Sequence, residues 1–386
     1  MKRGLRSALG IASAAALIAL AGCTTDPSVE PADEGDGAQE EAPAEEWFDQ
    51  KVYDQQFKQR EVVPDGPEDK PYLQMINPKM GDTSEFKSDG GNKMCFANAS
   101  ISNPWRQTGW ISMNEQLKEL KKDGVITEME TRDAQDNDDT QIADIDYFIS
   151  EGDCDGFIIS PNSTAAITPA VERACKTDKP VIVFDRGVET DCAVTFIHPI
   201  GGFAWGIDTS QFLIDNLSEG DKVVALRILP GVDVLEQRWA AADKLFGEAG
   251  IEVVDYFTEG DPAEIKKVVS DELAKGDVQG IWMDAGDGAV SAIEAFEDAG
   301  KDYPVMTALA PVYSNFQWRT PLLAAEKIFK GEEVPTEWVL PQSPITAEDL
   351  DDYLDRNKGM PDGHYAKFGG EDMAGFPQVW QDRVIP

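Results

Sequence analysis

The sequence predicts an α/β protein built as two doubly wound parallel-sheet lobes joined by a hinge. Three observations lead there. From residue 92 to residue 310, short apolar segments rich in Val, Ile and Phe alternate with segments whose apolar residues recur at helical spacing. Those helical segments are about 10–15 residues long, the crossover length that returns a strand to its neighbour in parallel. The alternation restarts near 197–201, giving two series of four strands each.

In the first series, KMCFANA (93–99) reads as a strand. WISMNEQLKELKKDG (110–124) has apolar residues at 110, 111, 113, 117 and 120 and closes on Lys-Lys-Asp-Gly, so it reads as a helix with a C-cap. VITEMETR (125–132) is a strand and DDTQIADIDYFISEG (138–152) a helix with an Asp cap. CDGFIISP (154–161) is a buried strand, AAITPAVERACKTD (165–178) a helix, and PVIVFDR (180–186) a strand. In the second series, helices at 201–217, 236–250, 262–276 and 288–300 alternate with strands at 222–229, 251–257, 280–285 and 303–310. Residues 321–334 read as one more helix and 334–346 as extended, Pro-rich chain. A short helix and loop follow. No helix is long and apolar enough to span a membrane.

The N-terminus has a different character. Lys2, Arg3 and Arg6 precede the apolar run 9–21, which ends in LAGC (20–23). This reads as an export signal, and its end resembles the bacterial lipobox. The resemblance implies that residues 1–22 are removed and that Cys23 is lipidated. Residues 24–46 are acidic, rich in Pro, Gly and Ala, and lack large apolar residues apart from Val29. Such chain cannot bury enough surface to offset its ordering entropy. We read 23–60 as a solvated tether and 61–91 as an extension packing on the first lobe. The first lobe comprises 92–198 plus roughly 312–340. The second comprises 199–311 plus roughly 341–386, including the tail.

Composition narrows the partners. The formal charge is −38, and about −41 without the three basic residues of the signal. Phosphate binding needs clustered Lys and Arg, so nucleic acid and anionic membrane are excluded as direct partners. Attachment to a membrane would have to come from the lipid. Four cysteines lie beyond the signal, Cys95, Cys154, Cys175 and Cys192, and an even number in an exported chain suggests disulfides. Of the three possible pairings, the strand reading favours Cys95–Cys154 with Cys175–Cys192. There is no C-x-x-C, and the two histidines, His198 and His364, are far apart, so no metal is expected. The acidic run DAQDNDD (133–139) lacks the Gly and bidentate Glu of a calcium loop and reads as cap and solvated loop.

In open parallel sheets, ligands bind beyond the carboxyl ends of the strands. The first strand here ends in Asn98, Ser100 and Asn103, then Trp105 and Arg106. The third leads to Asn162 and the fourth to Asp185 and Arg186. In the second series the turn after Leu229 leads to Arg238, GIWMDAGDG offers Asp284 and Asp287, and APVYSNFQW offers Asn315 and Gln317. Amides, carboxylates, Arg forks and indole together suit a neutral polyol. Carboxylates accept from hydroxyls, Arg donates to hydroxyl and ring oxygens, and indole covers the C–H face of a sugar ring. Taken singly, each residue also fits a plainer role: Trp105 as a hydrophobic plug, Asn162 or either Asp as a helix cap.

FANASISNPWRQ, DGFIISPNSTAAITPAVERA, KPVIVFDRGV, the Arg of EQRW, and GAVSAIEAFEDAG before KIFKGEEVP resemble the ribose- and galactofuranose-type sugar-binding proteins of bacterial ABC importers, the type I periplasmic-binding fold. The resemblance covers roughly 93–346. It implies that Trp105 and Arg106 stack on and hydrogen-bond a sugar from the first lobe, with Asn98 or Asn103 nearby. Asp185 and Arg186 would grip hydroxyls, Asn162 would add an amide, and Arg238 would reach in from the second lobe. The family often has Asn-Asp where this chain has DAGDG, so the cleft-facing carboxylate is Asp284 or Asp287. Asn315 and Gln317 fall where the family places a hinge-side polar contact. The doubly wound order would put strand 1 between strands 2 and 3, bringing Cys95 beside Cys154, and Cys175 and Cys192 within local reach. About 40 residues after Thr346 have no counterpart in the simplest members.

The function implied is an extracytoplasmic solute-binding lipoprotein that captures a monosaccharide or small saccharide and delivers it to ABC permease subunits. It would be monomeric, without cofactor, and lipid-anchored on the outer face of the cytoplasmic membrane. The alternative is a sugar- or signal-sensing binding protein that feeds a receptor. An enzyme such as a glycosidase is disfavoured: there is no G-x-S-x-G, no P-loop, no G-x-G-x-x-G after a strand, and no His near a plausible nucleophile.

Overall fold

The computed structural model describes residues 47–306, 310–311, 314–342, 344–346, 348–361 and 375–385. The signal segment, Cys23 and the chain up to residue 46 lie outside the described residues.

An N-terminal extension contributes α1 (Gln50–Gln59) and the short strand β1 (Met80–Gly81). The first series runs β2 (Asn92–Asn98), α2 (Pro104–Asp123), β3 (Ile126–Asp133), α3 (Asp138–Ser150), β4 (Gly156–Ser160), α4 (Thr164–Cys175), β5 (Val181–Phe184) and β6 (Thr195–Pro199). The second runs α5 (Gly202–Ile214), β7 (Lys222–Arg227), α6 (Asp233–Ala249), β8 (Glu252–Phe257), α7 (Pro262–Lys275), β9 (Gly280–Met283), α8 (Ala289–Ala299) and β10 (Val305–Met306). The chain then passes through β11 (Ala310–Pro311), α9 (Thr320–Lys330), β12 (Val334–Pro335), β13 (Glu337–Leu340), β14 (Pro344–Ile345), α10 (Leu350–Arg356) and α11 (Phe376–Gln381).

Six strands form the first sheet, in the order β3-β2-β4-β5-β6-β13, every pair parallel. Four form the second, β8-β7-β9-β10, also parallel. In both, the first strand of the series lies between the second and the third, the doubly wound arrangement. The central strands β2, β4, β5, β7 and β9 are buried along nearly their whole length because both of their faces are covered. Met94 and Phe96 of β2 face a core with Trp318 and Trp338, while Cys95 and Ala97 face the side of α3 and α4. The second sheet repeats this, with Val224 and Leu226 on one face and Val223 and Ala225 on the other. Both disulfides are formed, Cys95–Cys154 with Cα atoms 5.7 Å apart and Cys175–Cys192 at 6.0 Å.

The first sheet is larger than the sequence reading of four strands. β6 is a five-residue segment of alternating burial, and β13 emerges from the Pro-rich stretch to pair with it. The strand expected at 303–310 is short: β10 covers two residues, and Ala310–Pro311 pairs instead with Pro344–Ile345, antiparallel.

The two ends of the chain correct the sequence boundaries. Residues 50–59, counted in the tether, are helix α1. Asp49 caps it by accepting from the Val52 N–H at 3.0 Å. Phe48, Val52 and Tyr53 pack against Phe203 of α5, and Arg60 pairs with Asp208. Those apolar side chains give α1 a face to bury, which the Pro- and Gly-rich chain before it lacks. Further on, the extension lies on the first lobe. Ile76 N–H donates to the Val339 carbonyl at 2.9 Å, and the Trp338 indole donates to the Gln74 carbonyl at 2.9 Å. The tail, placed with the second lobe from sequence, returns to the first. Phe376 and Trp380 of α11 bury against Ile111 of α2, and the Trp110 indole donates to the Val384 carbonyl at 3.0 Å.

Candidate functional site

The carboxyl ends of β2, β4 and β5 lie side by side in the first sheet. Asn98 is in register with Ser160, and Phe184, the last residue of β5, precedes Asp185. α2 begins at the same edge. Its N-cap is Asn103, whose side chain accepts from the Arg106 N–H at 2.9 Å, and Pro104 starts the helix. Trp105 and Arg106 are therefore first-turn residues of α2. The helix reads from sequence as starting at 110, because its first turn carries no apolar repeat.

Arg106 is buried, and its guanidinium donates to Asp185 Oδ2 at 2.8 Å. Asp185 is buried too, with φ at +72°, in the left-handed region where an Asp is tolerated better than most residues. This backbone turn separates the two neighbours, so that Asp185 meets Arg106 while Arg186 donates to the backbone and side-chain oxygens of Asn162. Burial, reinforced by the positive charge of Arg106, lowers the Arg186 pKa to about 10. Asn162 donates to Asp138 Oδ1 at 2.9 Å, tying this loop to the start of α3.

Trp105 is half-buried. Its ring meets Trp318 edge-to-face at 5.8 Å, and the Arg106 guanidinium lies 5.5 Å from its centroid. Trp318 is fully buried and makes further edge contacts with Phe96 and Phe184. Gly109 of α2 makes room for it: a Cβ there would sit 2.3 Å from the Trp318 ring. Asn315 donates to the Trp105 carbonyl at 2.7 Å, which fixes the backbone of the first turn.

In the second lobe, Asp284 follows β9 and is 1% exposed. Its Oδ2 accepts from the Ile228 N–H at 2.9 Å, and Arg238 of α6 donates to its backbone carbonyl. Burial raises the Asp284 pKa to about 6, against the opposing pull of Arg238. The Arg238 guanidinium stacks 4.7 Å from the Trp205 centroid. The turn between β7 and α6 is held by Glu236, which accepts from Arg227 at 2.7 Å and from the Gly231 N–H at 2.7 Å.

The structure thus joins Arg106 to Asp185, Arg186 to Asn162, Asn315 to Trp105, and Arg238 to Asp284. Asn98 donates to Asp133 at 2.8 Å. Asn103 is exposed and serves as a cap, so its side chain does not join the buried group. Gln317 is buried in the short helical turn beside Asn315. The side chain of Asp287 lies outside the described residues. Asp133 and Asp138 lie in the acidic run read from sequence as cap and solvated loop, Trp318 stands in the same APVYSNFQW stretch as Asn315 and Gln317, and Glu236 is marked by no motif. Among the described residues, no group of three or more His, Cys, Asp or Glu is placed to hold a metal ion.

Several buried polar atoms at these strand ends have no hydrogen-bond partner among the described residues: Asn98 Oδ1, Ser160 Oγ and Asp284 Oδ1, with Asn315 Oδ1 and both amide atoms of Gln317. Buried polar atoms are nearly always satisfied, so a set of them calls for a partner.

Residues 94–313 match a family model described as "Periplasmic binding protein domain". The ribose import binding protein RbsB of Bacillus subtilis is 27% identical over 226 residues, covering 57% of this chain and 71% of that protein. An ABC transporter solute binding protein from Thermobispora bispora superposes with a TM-score of 0.64 at 22% identity, covering 71% of this chain and 90% of that one. The binding component of the arabinose ABC transporter from Shewanella sp. ANA-3, bound to arabinofuranose, gives a TM-score of 0.61 at 18% identity, covering 69% and 95%.

Proposed function

The chain belongs to the periplasmic binding protein family, and from that premise we propose that it captures a neutral monosaccharide or small saccharide between its lobes and delivers it to an ABC permease. The family is one of exported binding proteins, not enzymes. One observation carries the reading. The carboxyl ends of both sheets present buried hydrogen-bonding atoms without partners, Asn98 Oδ1 and Ser160 Oγ on one lobe and Asp284 Oδ1 on the other. Sugar hydroxyls both donate and accept, so they can satisfy such atoms from either side. The sugars for which two of these relatives are named, ribose and arabinofuranose, are of this class.

In this reading Trp105 covers a ring face, and Arg106 with Asp185 and Arg186 with Asn162 hold hydroxyls from the first lobe. Arg238 and Asp284 hold them from the second, with Asn98, Asn315 and Gln317 at the margins. Asn103 acts by fixing the first turn of α2. Closure excludes water, which strengthens each bond to the ligand. The N-terminal pattern supports lipidation at Cys23, with the acidic stretch as spacer and the anchor on the outer face of the cytoplasmic membrane. The binding unit is a monomer.

A thermal-shift screen against pentoses, hexoses and furanosides tests the substrate class. A sugar at 100 times its dissociation constant should stabilise the fold by about 2.7 kcal/mol. A screen in which amino acids or nucleosides shift the transition and no sugar does would overturn it.

A further inference from the structure

Asp233, the first residue of α6 in the second lobe, was not among the residues picked from sequence. Its Oδ1 accepts from the Val234 N–H at 2.7 Å. Its Oδ2 points at the first lobe. A Cβ built on Gly187, two residues after Asp185, would lie 2.8 Å from that oxygen. Gly187 has no positive φ, so its backbone does not demand glycine. A side chain there would have to displace the Asp233 carboxylate from its present place. The next atom such a Cβ would meet is the Phe196 ring, at an ordinary 3.4 Å.

Groups on three elements of the first lobe act electrostatically on Asp233. Arg186 follows β5, Thr164 opens α4, and His198 lies on β6, where it bonds Glu337 at 3.1 Å. Burial raises the Asp233 pKa, while the Val234 N–H, and after it Thr164, Arg186 and His198, pull it down. A second-lobe carboxylate is therefore desolvated against the first lobe, beside the arginine that grips Asn162.

We propose that Asp233 is the positioning residue for lobe closure, seated on the bare backbone of Gly187 beside Arg186, so that the closed state is held by a contact the ligand does not make. This rests on the interlobe-binding reading above. Gly187 is then a specific steric requirement of closure. A methyl group there strikes Asp233 only when the lobes come together, and leaves each separate lobe undisturbed.

The test is the interlobe distance, measured by electron–electron resonance between nitroxides at exposed Lys118 on α2 and Lys267 on α7. The protein is measured alone and with 10 mM each of D-ribose, L-arabinose, D-galactose and D-fructose. Gly187→Ala and Asp233→Asn should each lower the ratio of short to long distances at least threefold, with urea unfolding of the sugar-free protein little changed. In an Asp233→Ala background, Gly187→Ala should have no further effect, because the methyl has nothing to strike. A Gly187→Ala effect of equal size in both backgrounds overturns the proposal. So does an unchanged distance distribution in Gly187→Ala and Asp233→Asn, or a wild-type protein with no short-distance population in either condition. If wild type populates the short distance but the sugars do not alter it, the sugar reading fails while the latch is still measured.

Discussion

Asp284 offers the sharpest test of whether the site keeps a charge at the expense of stability. Its carboxyl ionises near its ordinary value of 3.8 when unfolded and near 6 when buried in the fold. Below about pH 3.8 both states hold the proton and the group does not bias folding. As pH rises from there, the unfolded state releases its proton first, so stability falls. The loss is complete once the folded carboxyl ionises, above about pH 6. At 1.36 kcal/mol per pH unit, the full loss is roughly 3 kcal/mol. Asp284→Asn keeps the shape and an acceptor for the Ile228 N–H, and it has no such loss. The measurement is urea unfolding of both proteins, without sugar, from pH 4 to pH 7.5. The two should be nearly equal at pH 4. The Asn variant should become the more stable as pH rises, by up to about 3 kcal/mol at pH 7.5, while binding sugar at least tenfold more weakly. A stability difference that does not change with pH, or an Asn variant less stable at pH 7.5, would refute the reasoning.

Trp105→Ala should weaken sugar binding about tenfold, or 1.4 kcal/mol by calorimetry, with Trp105→Phe retaining most of the affinity. Arg106→Ala leaves the buried Asp185 carboxylate without its ion pair, so urea unfolding should show a loss of about 3 kcal/mol or more; the double variant with Asp185→Ala should lose less than the sum of the singles. Replacing Cys95 and Cys154 by Ala opens a loop with a sequence separation of 59, and replacing Cys175 and Cys192 one of 17. Chain entropy assigns these about 4 and about 3 kcal/mol, so the first pair should lower the urea midpoint more.

Much of the fold was legible because it rests on periodicity. Met94 and Phe96 facing one layer while Cys95 and Ala97 face the other is a period of two, and the helices between strands have a clear period near 3.6. The strand ends then pointed to Arg106, Asp185, Arg186 and Asn162, which the structure does bring together. Side-chain type alone misled where one residue type serves two ends. Asn103 at a strand-to-helix turn is as good a cap as a ligand contact, and only the 2.9 Å bond to the Arg106 N–H separates them. Arg106 as a first-turn cation opposes the helix dipole; its Asp185 partner, 79 residues away, is not visible from local pattern. Contacts made by docking were invisible for the same reason. The return of α11 to α2 rests on two aromatic residues in a six-residue helix, and the approach of Asp233 to Gly187 joins two loops that no local pattern connects.

The charge balance of the site also argues for the class of ligand. The chain as a whole is strongly acidic, yet each buried arginine at the strand ends already has an anion: Asp185 bonds Arg106, Asp185 and Asp233 act on Arg186, and Asp284 lies in the field of Arg238. A phosphate carried among these groups would bring a negative charge to arginines that already face carboxylates, and an unpaired buried charge is strongly unfavourable. A neutral polyol brings none. It needs only hydrogen bonds, and the buried atoms without partners among the described residues, Asn98 Oδ1, Ser160 Oγ and Asp284 Oδ1, are acceptors or hydroxyls of the kind that pair with a sugar's O–H groups. The acidity of the chain as a whole and the pairing of the charges at the strand ends are thus separate properties: the first favours solubility, and the second fits the neutral ligand proposed above.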